Sequence, residues 1–263
     1  MKMNTRQIRA HKNTSHFLHM LTCYDFQTAQ MLNETEIPLL LVGDSVGNVV
    51  LGYDHTISVT LEEMIIFSRA VKRGAPHKFI VADLPFGTYS YFEQGIENAT
   101  KLFQQSGVEA LKLEGAESHQ LDLIKRLTQI GIPVMGHLGL TPQSVHEQGG
   151  YYTHGKTASE AQKLLKQAQE LESAGVFAVV LECVQNETSQ VITQNLNIPT
   201  IGIGSGNGVD GQVLVLNDLL GNGKNPPPAF CKPMANFFEL KKNIITDYLR
   251  QYRERLNNRN LNN

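Results

Sequence analysis

The chain reads as an α/β protein, a (β/α)8 barrel with an extra C-terminal helix, and three features of the sequence lead there. Eight short apolar runs alternate with amphipathic stretches between Leu18 and Leu216. The runs are apolar throughout rather than alternating, the mark of parallel strands covered on both faces. Glycines at 107, 131 and 175 stand where helices should stop, one or two residues ahead of the next run. Eight such strands suit a closed barrel better than an open doubly wound sheet, which more often has about five or six.

Taken in order, the opening residues carry Lys2, Arg6, Arg9 and Lys12 with no acid before Asp25. They suit a polar N-terminal helix over about 1–16; a cleaved targeting segment is the competing reading, weakened by the lack of an apolar stretch. The strands are expected at Leu18–Thr22, Pro38–Val42, Lys78–Ala82, Ala110–Leu113, Pro133–Gly136, Phe177–Leu181, Pro199–Ile203 and Gln212–Leu216. Thr60-Leu61-Glu62-Glu63 is a capping box opening a helix with Leu61, Met64, Ile65 and Val71 on one side, and Thr157-Ala158-Ser159-Glu160 is a second. Asn225-Pro226-Pro227-Pro228 forms a stiff connector to a tail helix over about 234–256. Its Phe237, Phe238, Ile244, Ile245, Tyr248, Tyr252 and Leu256 make an apolar stripe that packs either on its own barrel or on a neighbouring subunit. The Asn-rich end after Leu256 is expected to fray. No linker interrupts the repeat, so residues 1–263 are expected to form one domain.

The 263 residues hold 23 Lys+Arg against 25 Asp+Glu, for a net charge of −2, without the basic surplus of a nucleic-acid binder. A hydrophobic fraction of 41% excludes a mainly disordered chain. The longest apolar run is too short to span a bilayer. Cys23, Cys183 and Cys231 are scattered and form no CxxC pair, which fits a reducing, cytoplasmic setting and neither a disulfide framework nor a zinc site.

In an α/β barrel the active site lies at the C-terminal ends of the strands. Gly43-Asp44-Ser45 follows strand 2, strand 3 runs into Asp83, strand 4 carries Lys112 and Glu114, His137 follows strand 5, and strand 6 ends on Glu182-Cys183. Asp44, Asp83 and Glu114 are hard oxygen ligands that favour Mg2+ over zinc or copper; the alternative is that the aspartates cap the turns after their strands. Lys112 shares a face with Glu114 and either forms a Schiff base, holds an anionic carboxylate or pairs with Glu114. Acidic neighbours favour the charged, binding role. Glu182 ends the most apolar strand, where desolvation should raise it toward a useful base; otherwise it caps the following helix or sits in an ion pair. Cys183 reads as core packing. His137 hydrogen-bonds substrate, acts as an acid or fixes its loop, and the sequence leaves all three open. The glycine-rich loop 202–208 closes the mouth as a turn or binds phosphate. A metal, a cation for a carboxylate and a carboxylate base together suit carbon–carbon bond chemistry next to a carbonyl.

Seven segments then carry a resemblance: Leu41–Gly47, Val71–Pro76, Ala82–Phe86, Lys112–Gly115, Gly136–Ser144, Leu181–Val184 and Asp210–Val215. In this order, over about residues 15–245, they resemble the ketopantoate hydroxymethyltransferase family, and the stretch through His137 and Gln143 is the most diagnostic. The resemblance implies a barrel of the phosphoenolpyruvate/pyruvate type. It implies transfer of a one-carbon unit from 5,10-methylenetetrahydrofolate to 3-methyl-2-oxobutanoate, giving 2-dehydropantoate in pantothenate synthesis. Carried over by position, Asp44 and Asp83 bind Mg2+ with Glu114 completing the site, Asp44, Ser45, Asp83 and Lys112 hold the oxo acid, and Glu182 is the proton acceptor. Family members are homo-oligomers, commonly decamers of two five-membered rings. Ser205 departs from the family's usual Ala, and the segment 149–155 departs after Tyr151. The competing readings are another Mg2+-dependent 2-oxo-acid lyase or mutase on the same barrel, which would carry a reactive Cys loop, and an inactive assembly barrel, which would have a broken site.

Overall fold

The computed structural model describes residues 2–12, 14 and 16–260; residues 1, 13 and 15 of the expected N-terminal helix and 261–263 of the Asn-rich end lie outside the described residues. The chain forms two compact units, Met1–Leu214 and Val215–Asn263. In the first, eight parallel strands close in sequence order into a barrel, β8 pairing back onto β1. The elements run α1 (Thr5–Ala10), β1 (Leu18–Thr22), α2 (Phe26–Asn33), β2 (Leu39–Val42), α3 (Leu61–Gly74), β3 (Phe79–Asp83), α4 (Phe92–Ser106), β4 (Ala110–Glu114), α5 (Ser118–Gln129), β5 (Val134–Gly139), α6 (Val145–Gln148), α7 (Ala158–Ala174), β6 (Ala178–Glu182), α8 (Asn186–Gln194), β7 (Thr200–Ile203) and β8 (Gly211–Leu214). Loop 204–210 joins β7 to β8 as a turn without a helix.

The expected (β/α)8 barrel is therefore present, with strand ends displaced. β3, β4, β5 and β6 continue through Asp83, Glu114, His137 and Glu182 instead of stopping before them. Polarity does not end a strand while its backbone ladder finds partners. Glu114 pairs with His137, and Gly139 with Glu182. At the other end, β8 stops at Leu214 because Val215 caps a short helix, α9 (Leu216–Leu220).

Side chains alternate along each strand, and the interior rows form one apolar cluster that includes Leu39 and Leu41, Phe79 and Val81, Ala110, Met135, Ala178 and Val180. Two residues further along these same rows stand Asp83, Lys112, His137 and Glu182, and Glu114 lies two beyond Lys112. The site is thus the polar end of the barrel core. The opposite end is closed by α1, which spans less than the expected helix. Asn4 and Gln7 form a capping box there, and Ile8, fully buried, joins the interior cluster. Burying that side chain contributes roughly 2 kcal/mol. Arg9 and Lys12 anchor the segment, donating to Gly175 O at 3.0 Å and pairing with Asp210 at 2.8 Å.

The Thr60 capping box forms in full at the start of α3, whose Leu61, Met64, Ile65 and Val71 are buried. At α7 only half of the second box forms: Thr157 accepts from Glu160 N, while the Glu160 carboxylate accepts from Lys156 N instead. In the second unit α10 runs Phe237–Asn260, not about 234–256. Asn236 caps it by accepting from Glu239 N, and the helix continues past Leu256 to Asn260. Ile244, Ile245, Tyr248 and Tyr252 are exposed on it.

Candidate active site

Asp44 sits just past β2, where a π-helical turn, Gly47–Leu51, takes over. Its backbone N–H donates to Asp83 Oδ2 at 3.0 Å. In the β3–β4 register Asp83 pairs with Lys112, and Lys112 Nζ lies 3.2 Å from Asp83 Oδ1. Lys112 Nζ is also 3.1 Å from His137 Nδ1. The imidazole lies between two carboxylates, with Nδ1 3.3 Å from Glu114 Oε1 and Nε2 3.3 Å from Glu182 Oε2. Ser45 Oγ meets the Tyr24 hydroxyl at 2.8 Å. All seven residues expected at the site, Asp44, Ser45, Asp83, Lys112, Glu114, His137 and Glu182, therefore meet at one barrel mouth.

Electrostatics follow from burial. Burial first, then the charges on Asp83 and Glu114, push the Asp44 carboxyl up to about 8. Asp83 is raised mainly by burial, against the opposing pull of Lys112. Burial alone would lower Lys112, but Asp83, Glu114, Asp44 and Glu182 outweigh it, so the ammonium is retained. Burial and the Lys112 charge likewise push His137 down, and Glu114 and Glu182 overcome both to bring it up to about 9. Glu182 does not end in the wholly apolar wall that its strand suggests. It is half-buried and faces the His137 ring, a neighbour supplied by the adjacent strand.

Cys183, expected in the core, is half-buried and adopts φ 49°, a left-handed conformation unusual for a residue with a side chain. Three backbone bonds hold this bend: Cys183 N to Ile203 O, His154 N to Cys183 O, and Leu140 N to Glu182 O, each 2.8 Å. Ser205, where the family usually has Ala, adds a fourth tie by donating to Leu181 O at 2.7 Å and accepting from Val184 N at 3.0 Å. The strain fixes the direction in which Glu182 leaves its strand.

The donor set suits a hard divalent cation. Asp83 Oδ1 and Glu114 Oε1 are buried and make no well-aligned hydrogen bond, each facing a nitrogen, Lys112 Nζ at 3.2 Å and His137 Nδ1 at 3.3 Å, so both keep lone pairs for a cation. Four carboxylates outnumber the two cationic groups, and the nearest donors are oxygens. Among the described residues, no three His, Cys, Asp or Glu side chains form a ready-made metal cluster. Mg2+ commonly takes one or two carboxylates and fills its remaining positions with water and substrate oxygens.

Three residues at the mouth escaped the sequence reading or received no role there. Tyr24 follows β1, and an inspection of that strand's end would have found it. Tyr89 lies in the β3–α4 loop and signals nothing locally. Gln143 belongs to the diagnostic segment, but its contacts cross the mouth. A cavity of about 580 Å3 lies on the helix side of β5, lined by Leu138, Tyr152 and His154, and holds none of the candidate residues.

Comparison with known proteins agrees with this geometry. The sequence matches the profile of the family described as ketopantoate hydroxymethyltransferase over residues 2–259. It is 50% identical over 232 residues to the 3-methyl-2-oxobutanoate hydroxymethyltransferase of Leptospira interrogans, covering 88% of each chain. It is 47% identical over 255 residues to that of a Thermotoga species, covering 97% of this chain and 93% of that one. Among solved structures, 2,3-dimethylmalate lyase, a PEP mutase/isocitrate lyase superfamily member, aligns with a TM-score of 0.58 at 16% identity over 81% of each chain. A phosphoenolpyruvate phosphomutase from Streptomyces platensis aligns with a TM-score of 0.61 at 10% identity, also over 81% of each. These two likenesses speak for the fold, and the sequence match over nearly the whole chain settles the family: the chain belongs to the ketopantoate hydroxymethyltransferases.

Proposed function

We propose that the barrel mouth transfers a hydroxymethyl group from 5,10-methylenetetrahydrofolate to 3-methyl-2-oxobutanoate, forming 2-dehydropantoate for pantothenate synthesis, with one Mg2+ per subunit. The observation that carries this reading is the continuous row Asp83–Lys112–His137–Glu182, which sets a fixed cation beside a carboxylate base at one mouth. Asp44 and Asp83, with Glu114, are the residues that would hold the metal. Bound Mg2+ would polarise the oxo-acid carbonyl as a Lewis acid.

Lys112 keeps its charge, so it binds the substrate carboxylate and does not act as an amine nucleophile. Ser45, held by Tyr24, adds a hydroxyl to the same end. The Glu182 carboxylate takes the C3 proton of the oxo acid. Water opens the N–CH2–N bridge of the folate, both C–N bonds breaking and each nitrogen gaining a proton as tetrahydrofolate leaves. C3 adds to the one-carbon carbonyl so released, and the new alkoxide takes back the proton from Glu182 to give the hydroxymethyl group. His137 lies against Glu182, its Nε2 3.3 Å from Oε2, and orients the carboxylate. A lyase or mutase working through a reactive thiol fits less well, because burial and the Glu182 charge push the Cys183 thiol up to about 11. The exposed apolar residues of α10 support assembly into a homo-oligomer, and the family resemblance suggests a decamer; light scattering tests it. The scattered cysteines support a cytoplasmic setting, and no helix among the described residues is long and apolar enough to cross a membrane.

Proton NMR of 3-methyl-2-oxobutanoate in D2O with the purified protein tests the reading. Loss of the C3 proton signal is expected with Mg2+, and hydroxymethyl product only after methylenetetrahydrofolate is added. Folded, metal-loaded protein that gives neither overturns it.

A further inference from the structure

Gln143 follows Pro142 in a short 3-10 turn, Pro142–Ser144, and is only 6% exposed. Its backbone N–H donates to Glu114 Oε2 at 3.0 Å. Its Nε2 donates to Asp44 Oδ2 at 2.8 Å and to Leu84 O at 3.1 Å. Its Oε1 accepts from the Tyr89 hydroxyl at 2.6 Å. One residue thus ties together the ends of β2, β3 and β4 and the loop after β3.

The orientation of the carboxamide is forced. The Leu84 carbonyl accepts and cannot donate, so the NH2 group must face it, and the same nitrogen then reaches Asp44 Oδ2. That leaves Oε1 for Tyr89, which must donate. Tyr89 is equipped to do so, since burial and the nearby carboxylates raise its phenol and keep the proton in place.

The three carboxylates share a pattern. Asp44 Oδ2 is taken by Gln143 Nε2, Asp83 Oδ2 by Asp44 N, and Glu114 Oε2 by Gln143 N. The other oxygens of Asp83 and Glu114 are buried and make no well-aligned hydrogen bond, meeting Lys112 Nζ at 3.2 Å and His137 Nδ1 at 3.3 Å as ion pairs. Two of these three fixing bonds come from Gln143. Groups that orient ligating carboxylates commonly change metal affinity about 10- to 100-fold when removed.

We infer that Gln143, locked in orientation by Tyr89, is a positioning residue that aims Asp44 and Glu114 at a hard divalent cation. The inference rests on the metal-binding reading of the mouth. The test is Mn2+ binding to the full chain, read by electron paramagnetic resonance, with thermal melts to confirm folding. Gln143→Met keeps the volume and removes all carboxamide bonds; Mn2+ should bind about 10- to 100-fold more weakly. Tyr89→Phe removes one oxygen and leaves the amide donors, so its loss should be smaller but measurable. Both variants should regain turnover as metal is raised to saturation, which a general structural defect would not allow. Wild-type Mn2+ affinity in folded Gln143→Met overturns the inference. If that variant does not fold, wild-type affinity in Tyr89→Phe does so. Failure of the wild-type chain to bind Mn2+ would instead overturn the metal reading itself.

Discussion

Gly139 ends β5 with φ +93°, and a methyl group there would stand 2.2 Å from Glu182 O and 2.6 Å from Val184 Cγ2. Gly139→Ala therefore perturbs two things. The left-handed conformation costs a residue with a Cβ about 1–2 kcal/mol. The collision is with backbone, so β6 must move away by most of an ångström, breaking the Leu140 N to Glu182 O bond and displacing the carboxylate; this adds roughly 2 kcal/mol. Gly131 supplies the control. Its φ is +92°, yet a methyl group there would meet nothing within 4 Å, so Gly131→Ala reports conformational strain alone. At about 2–4 °C per kcal/mol for a chain of this size, the melting temperature should fall by about 6–15 °C for Gly139→Ala and about 2–8 °C for Gly131→Ala. Circular dichroism melts measure both, and the C3 exchange assay should show Gly139→Ala impaired well below its melting range. Equal melting temperatures for the two variants would refute the collision argument, and wild-type exchange in Gly139→Ala would refute the claim that this contact places Glu182.

Glu182→Gln should cut turnover by about 100- to 10,000-fold while oxo-acid binding stays within a few-fold; single-turnover kinetics with calorimetry would check it. Lys112→Ala should raise the oxo-acid KM about 10- to 100-fold by removing a charge-assisted contact, and an unchanged KM would contradict its role. The metal-free protein should lose stability as pH rises. Folded Asp44 keeps its proton to about 8 where an ordinary Asp releases it at 3.8, and folded His137 keeps its to about 9 against 6.5. Both groups bind protons more tightly when folded, so their contribution is complete below the ordinary values and lost as pH climbs through the folded ones. Melting temperatures in EDTA should fall between pH 5 and 9, and excess Mg2+ should flatten the curve by taking the proton's place on Asp44.

What the sequence determined by itself was whatever local chemistry decides. Eight uniformly apolar runs required a sheet covered on both faces, Thr60 and Glu63 sufficed for a helix start, and glycines at 107 and 175 accept the left-handed caps at which α4 and α7 stop. The site residues Asp44, Ser45, Asp83, Lys112, Glu114, His137 and Glu182 were legible because they are polar interruptions at the ends of apolar rows. Tertiary structure decided how far each strand runs, because a ladder lasts as long as a neighbour remote in sequence supplies partners; His137 lies inside β5 for that reason. It also decided what each charge meets. Glu182 faces an imidazole in place of an apolar wall, and Ile8 of a short polar helix becomes part of the barrel core. Gln143 and Tyr89 show the same limit most sharply. Tyr89 signals nothing along its own segment and Gln143 marks only a family likeness, and their bonds to Asp44 and to each other exist only once the closed barrel brings residues 44, 89, 114 and 143 to one mouth.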